Sequence, residues 1–216
     1  MTLPTCIVFA SGEKEPEKGG SGFQLLVEAS RDGRLQAEIV AVVSCYPCGG
    51  VFTKATKLKI PFHCSPSGRT EDDYKRLIGE SGAQWVLLSG WLGHLSGHDP
   101  RYACNIHPAL DLKRFGGKGM HGHHVHEAVW NAFQRREVTH TGVTMHFATA
   151  KYDDDKAIFF QRMIPIAHAF KNAQTLGRVV NLVEHQWQPE ITNRVVSGLI
   201  SWDGKDPRSI VGADIE

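Results

Sequence analysis

"TCIVFASGEKEPEKGGSGFQLLVEASRDG", residues 5–33, sets a strand, a glycine-rich loop and a helix end to end. The run TCIVFAS (5–11) is apolar without alternation, the pattern of a strand buried on both faces. After the loop at 12–20, Phe23, Leu26 and Val27 recur at spacings of three and four, and Gly33 closes the helix. The rhythm then repeats. AEIVAVVSC (37–45) is a second strand, GGVFTKATKLK (49–59) a second helix and IPFHCS (60–65) a short strand. TEDDYKRLIGES (70–81) is a helix whose acidic start complements its dipole, and WVLLSG (85–90) and YACNIHP (102–108) add two strands. This alternation predicts an α/β fold, a Rossmann-like, mostly parallel twisted sheet with helices on both faces. The loops at 12–22, 90–95 and 107–121 each follow a predicted strand, so they share the rim where such sheets collect ligands.

The second half reads differently. HTGVTMHFAT (140–149) and AIFFQRMIPI (157–166) are longer strands around the acidic turn AKYDDDK, and they suit an antiparallel extension of the sheet. Residues 172–200 are helical with an expected break near Pro189, and the tail is loop-like. The expectation is a single domain over 1–216, with a Rossmann-like half (1–100) and a half bearing the chemistry (101–216).

Composition narrows the class. Hydrophobic residues make up 41% and charged residues 22% of the 216-residue chain, ordinary for a globular protein. A chain of this size buries about 70% of its unfolded surface and needs no staples. A net charge of +1 without a basic block argues against a nucleic-acid partner. No apolar run is long enough for a membrane span, and MTLPTCIVFASG lacks the flanks of a signal peptide, so a cytoplasmic protein with no membrane partner is expected. The five cysteines form no disulfide pattern: Cys6 and Cys104 read as small buried hydrophobes, and Cys64 stands alone. Cys45 and Cys48 form one CxxC pair, usable for redox or zinc chemistry, but no second pair follows at finger spacing.

Four features could carry chemistry. Gly20, Ser21 and Gly22 feed a helix N-terminus, where backbone N–H groups suit a phosphate, although the spacing fits neither the dinucleotide nor the Walker pattern. In NIHP, Asn105 and His107 project to one side of a strand, so an amide and an imidazole stand together to bind a carbonyl oxygen and handle a proton. His121, His123, His124 and His126 have spacings that can ligate metal, yet no acidic or cysteine partner lies within the cluster and no H-E-x-x-H is present. Asp153, Asp154 and Asp155 read as a solvated turn unless one carboxylate reaches His107, whose pKa it would then raise.

NIHPAL, GKGMHGHHVHEAV, TGVTMHFATAKYD and IFFQRMIPI, in that order and spacing, resemble the phosphoribosylglycinamide formyltransferase family over about residues 5–200. The resemblance implies transfer of a formyl group from 10-formyltetrahydrofolate to the amine of glycinamide ribonucleotide in purine synthesis. It implies Asn105, His107 and Asp153 as the catalytic set, with Asn105 and protonated His107 on the oxyanion and Asp153 holding His107 and a relaying water. It places the substrate phosphate at Gly20, Ser21 and Gly22, and the ribose at Glu184. Folate would lie along SGWLGHL and the backbone of Ala150, Lys151 and Tyr152, with Leu92 as an apolar wall. His146 matches a family histidine near the active site, and Arg69 is a candidate phosphate partner.

Several positions depart from the family pattern. Gly22 stands for a common asparagine, Gly93 for a customary arginine, and Asp154 and Asp155 for two glycines, which should raise the pKa of Asp153 by like-charge proximity. Small-molecule substrates, a monomer or homodimer and no metal are expected. A formyl-folate hydrolase of this type carries an N-terminal regulatory domain and a methionyl-tRNA formylase a C-terminal basic one, and neither is expected here. The alternatives are formylation of another amine, such as a nucleotide-linked amino sugar, or a metal- or redox-responsive module built on Cys45, Cys48 and the histidines.

Overall fold

The computed structural model describes residues 2–66, 69–167 and 170–216. Its seven strands hydrogen-bond into one sheet: β1 (Thr5–Phe9), β2 (Glu38–Ser44), β3 (Phe62–Cys64), β4 (Trp85–Ser89), β5 (Ala103–His107), β6 (His140–Phe147) and β7 (Ile158–Pro165), in the spatial order β3-β2-β1-β4-β5-β6-β7. The first five are parallel, while β6 runs antiparallel to β5 and β7 to β6, as the longer second-half runs predict. Strand order reverses between β1 and β4, which opens a crevice at their carboxyl ends.

The absence of alternation in β1 has the expected cause. Cys6 and Val8 face a core shared with α1 (Ser21–Asp32), α2 (Gly50–Leu58) and α6 (Ala173–Val196), through Phe23, Leu26, Val51 and Val180. Ile7 and Phe9 face the opposite core, where α3 (Glu71–Ser81) contributes Tyr74 and Leu77. α3 begins with a capping box, the Asp73 amide donating to Thr70 Oγ1 and the Thr70 amide to the Asp73 carboxylate.

Two expectations are corrected. The break near Pro189 does not occur: α6 runs 24 residues through it. Proline removes one helical hydrogen bond, but Gln188, Pro189, Ile191, Thr192 and Val195 are all buried on both sides of that gap, and packing holds the helix in register. A short helix, α4 (Leu112–Phe115), also interrupts the loop after β5, capped by the Asp111 side chain accepting from the Arg114 amide. It is followed by α5 (His123–Gln134), which packs Val125 and Val129 against Leu176 of α6. The tail returns to the sheet, pairing Asp214 beside Phe160, with Arg162 and Arg194 converging on the Asp214 carboxylate at 2.9 and 3.0 Å. Among the described residues no helix is long and apolar enough to cross a membrane.

Candidate active site

At the carboxyl rim lies a cavity of about 320 Å³ walled by all three of the loops expected there. Gly20, Ser21 and Gly22 line it together with Glu184 and His185 of α6, as do Asn105, His107, His146 and Asp153, and Leu92, His94, Lys151 and Tyr152. Ala150 does not line it: its carbonyl is turned to His94 Nε2 at 2.9 Å, and the rings of His94 and Tyr152 close over that contact at 4.4 Å between centroids.

Register brings the central residues together. Asn105 of β5 lies opposite His146 of antiparallel β6. The turn after β6 doubles back, so that Asp153 reaches both. Its Oδ1 accepts from Asn105 Nδ2 at 3.2 Å and lies 3.5 Å from His107 Nδ1 and 3.4 Å from His146 Nε2; its Oδ2 accepts from the Gly117 amide at 2.8 Å. Asp153 adopts φ 42°, a left-handed conformation unfavourable for a side chain other than glycine, of the kind found where a site is held against backbone preference.

The partners define the protonation states. His107 Nε2 donates to the Phe115 carbonyl at 2.7 Å, the carbonyl that α4 presents, so Nδ1 is the nitrogen left to face Asp153. His146 Nδ1 donates to the Phe147 carbonyl at 2.9 Å, which leaves Nε2 to accept from Asn105 Nδ2 at 3.1 Å. Both hydrogens of the Asn105 amide are therefore engaged, and it meets a substrate oxygen only by exchanging one partner.

The pKa directions overturn two expectations. Burial holds the His107 imidazole below its ordinary value, outweighing the attraction of Asp153. Burial also opposes ionisation of Asp153, but proton sharing with His146, the attraction of the His107 and His146 rings in their protonated forms and the Gly117 amide together hold its carboxyl below the usual range. Asp154 and Asp155 do not raise it. Asp154 accepts from Thr149 Oγ1 at 3.0 Å, and Asp155 pairs with Lys151 and with Lys113 at 3.4 Å, so both carboxylates are turned away and compensated.

Three further residues shape the cavity; of these the sequence singles out only His126, and as a candidate metal ligand. His185 Nε2 touches Ser21 Oγ at 3.1 Å, beside the glycine cradle. His126, beneath His107, is pushed down to about 4, chiefly by burial and then by His107, and its Nδ1 has no hydrogen-bond partner. Gln188 Oε1 accepts from Ser89 Oγ at 3.1 Å under Gly22. An orphan imidazole nitrogen and a buried glutamine depend on packing, for which composition carries no signal.

A formyl transferase family model matches residues 7–192. The chain belongs to the formyl transferase family. It is similar to two proteins named phosphoribosylglycinamide formyltransferase, chloroplastic: 32% identical over 206 residues to that of Vigna unguiculata (90% of this chain, 62% of the relative) and 30% identical over 207 residues to that of Arabidopsis thaliana (90% and 66%). The chain thus spans slightly less than two-thirds of these relatives' length. The crystal structure of glycinamide ribonucleotide transformylase 1 from Symbiobacterium toebii shares the fold, with a TM-score of 0.76 at 23% identity over 94% of this chain and 92% of that one.

Within this formyl transferase, the departures from the family pattern have local causes. A Cβ at Gly22 would stand 2.2 Å from Ser89 Oγ, so the Ser89–Gln188 pair occupies the room an asparagine would need. A Cβ at Gly93 would stand 2.8 Å from Tyr74 Oη and 2.9 Å from Trp91 Nε1, so an arginine there requires the Tyr74 and Trp91 side chains to shift. Arg69 is not brought to the cradle: its guanidinium lies 4.3 Å over the Trp91 ring and bonds Ser65 and Cys45 Sγ. The metal and redox module is not favoured. Among the described residues no cysteine belongs to any group that could hold an ion, and Cys6 and Cys104 are buried in the sheet.

Proposed function

We propose that this formyl transferase moves the formyl group of 10-formyltetrahydrofolate to the primary amine of glycinamide ribonucleotide, as one domain spanning 1–216 and acting on small molecules in the cytoplasm. The observation that carries this reading is the convergence of Asn105, His107 and Asp153, far apart in the chain, around one cavity that a glycine cradle at a helix N-terminus also lines.

The phosphate binds the amides of Gly20, Ser21 and Gly22, with His185 beside it; the ribose hydroxyls donate to Glu184. Folate enters along Leu92, Lys151 and Tyr152. The amine nitrogen attacks the formyl carbon, and the carbonyl oxygen gains negative charge. Asn105 turns one N–H from Asp153 to that oxygen. A full negative charge beside His107 raises the imidazole's proton affinity against the burial that holds it down, so Nδ1 takes up a proton from solvent as the oxyanion forms, donates it as a hydrogen bond and returns it to solvent when the carbonyl re-forms. Asp153, released by Asn105 and ionised, holds a water that accepts the amine proton and passes it to the folate nitrogen as the carbon–nitrogen bond breaks. The products are the formylated amide and tetrahydrofolate, with protons and charge balanced.

A steady-state assay of the purified protein tests this. Tetrahydrofolate release should require both 10-formyltetrahydrofolate and glycinamide ribonucleotide. Release at the same rate without the amine would make the protein a hydrolase, and release driven only by another amine would replace the acceptor.

A further inference from the structure

We propose that His123, His124 and Glu127 form a binding site for a zinc-class divalent ion on the outer face of α5, beside the cavity mouth and separate from the catalytic groups. The three side chains each offer a ligand atom within 4.8 Å of the others, and all three are exposed, so an ion reaches them without unfolding anything. The His123 and His124 rings lie 3.9 Å apart between centroids, and His124 Nδ1 is 4.0 Å from Glu127 Oε2. The helix dictates this meeting: Glu127 follows His123 by four residues and His124 by three, the spacings that share a helical face. Two imidazoles and one carboxylate are a donor set that suits zinc, nickel or copper and not magnesium or calcium. Water completes the coordination, or a fourth imidazole does: His121, on the loop before the helix, already stands 5.3 Å from the His124 ring.

The fold gives these residues no other occupation. α5 has no side-chain cap and no acidic residue in its first turn, so two histidines there neither cap it nor complement its dipole. Among the described residues Glu127 has no lysine or arginine within ion-pair distance, and its one partner at that range is His124 Nδ1. His121 and Gly122 also line the cavity, so an ion that recruits His121 would tether the loop bordering the catalytic centre.

The test is direct ion binding by the intact protein, which does not depend on what reaction it catalyses. Titration with zinc chloride, followed by calorimetry, should give one saturable site per chain. His124→Ala and Glu127→Gln should each weaken it at least tenfold, whereas His63→Ala, on the distant strand β3, should leave it unchanged. Cobalt(II) should give a spectrum without a near-ultraviolet thiolate charge-transfer band. Equal zinc affinity in His124→Ala and the parent, no saturation near one equivalent, or a thiolate band that moves the ion to Cys45, Cys48 and Cys64 would each overturn the site. Both α5 variants leave the core untouched, and matching thermal transitions in chelator-treated protein exclude misfolding as the cause of lost binding.

Discussion

The two ring nitrogens of His107 face unlike surroundings: Nε2 is tied to a backbone carbonyl and Nδ1 looks into the cavity towards a carboxylate. In the neutral ring Nδ1 is an acceptor and cannot bond that carboxylate, which agrees with a separation of 3.5 Å. The residue is therefore poised to gain a proton when negative charge develops nearby. His107→Ala should lower kcat by roughly 10²–10⁴, and Asp153→Asn, which removes the charge but keeps the shape, should do so comparably. Both should still unfold cooperatively, because neither side chain fills the apolar core; steady-state rates and calorimetry check the two halves of this expectation. Glu184 titrates in the opposite sense. Burial raises its carboxyl to about 7, against a weaker lowering by Asn181. Between the ordinary carboxyl value and about 7 the unfolded chain releases a proton that the folded chain retains, so stability falls as pH rises through that window and the full cost is present above it. Glu184→Gln should remove this slope, worth on the order of 2–3 kcal/mol between about pH 5 and pH 8, as read from denaturant unfolding at each pH.

At the scale of elements, the proposed phosphate cradle depends on backbone geometry. Gly20 sits at φ 75° ahead of α1, and a Cβ there would lie 2.9 Å from Val51 Cγ2. Gly20→Ala should therefore cost about 1–2 kcal/mol from the left-handed conformation alone and raise KM for the phosphate-bearing substrate more than it lowers kcat; a unchanged KM would remove the cradle from the binding account. The strand–loop–helix unit around this glycine was legible because strands buried on both faces lose their alternation, and β1 divides its apolar residues between two cores. The pairing of Asn105 with His107 was legible from the two-residue period of a strand. Other features lay beyond sequence. His146 stands against Asn105 only because of the antiparallel register of β6 on β5, and register is set by tertiary pairing. Asp153 could be joined to His107 through family resemblance but not through spacing. The direction of the His107 shift was misread because burial, which decides it, is a property of the folded chain. Pro189 misled for the same reason.

Across the whole molecule, one sheet with both faces covered explains why the cysteines behave as two populations. Cys6 and Cys104 belong to β1 and β5 and are buried between the sheet and α1, α2 and α6. Burial pushes the Cys104 thiol up to about 12 and Cys6 higher still, so neither forms appreciable thiolate near neutral pH. Cys48 and Cys64 are exposed at the edge beyond β2, and Cys45 is half-buried with Arg69 against its sulfur. Thiolate attack on a disulfide reagent requires both ionisation and access, so native protein should react with an aromatic disulfide reagent at exposed Cys48 first, and more slowly at half-buried Cys45 and at Cys64, whose thiol is held above its ordinary value by burial and by neighbouring Cys45. Cys6 and Cys104 should react only through global unfolding, because the sheet cannot part at β1 or β5 without exposing both cores and dismantling the rim that holds Asn105 and His107. Their labelling rate should then follow the unfolding equilibrium as denaturant is added, while loss of activity tracks the same curve. Labelling of Cys104 in fully active protein, located by peptide mass mapping, would show that β5 opens locally and that the rim holding Asn105 and His107 is not part of the cooperative unit.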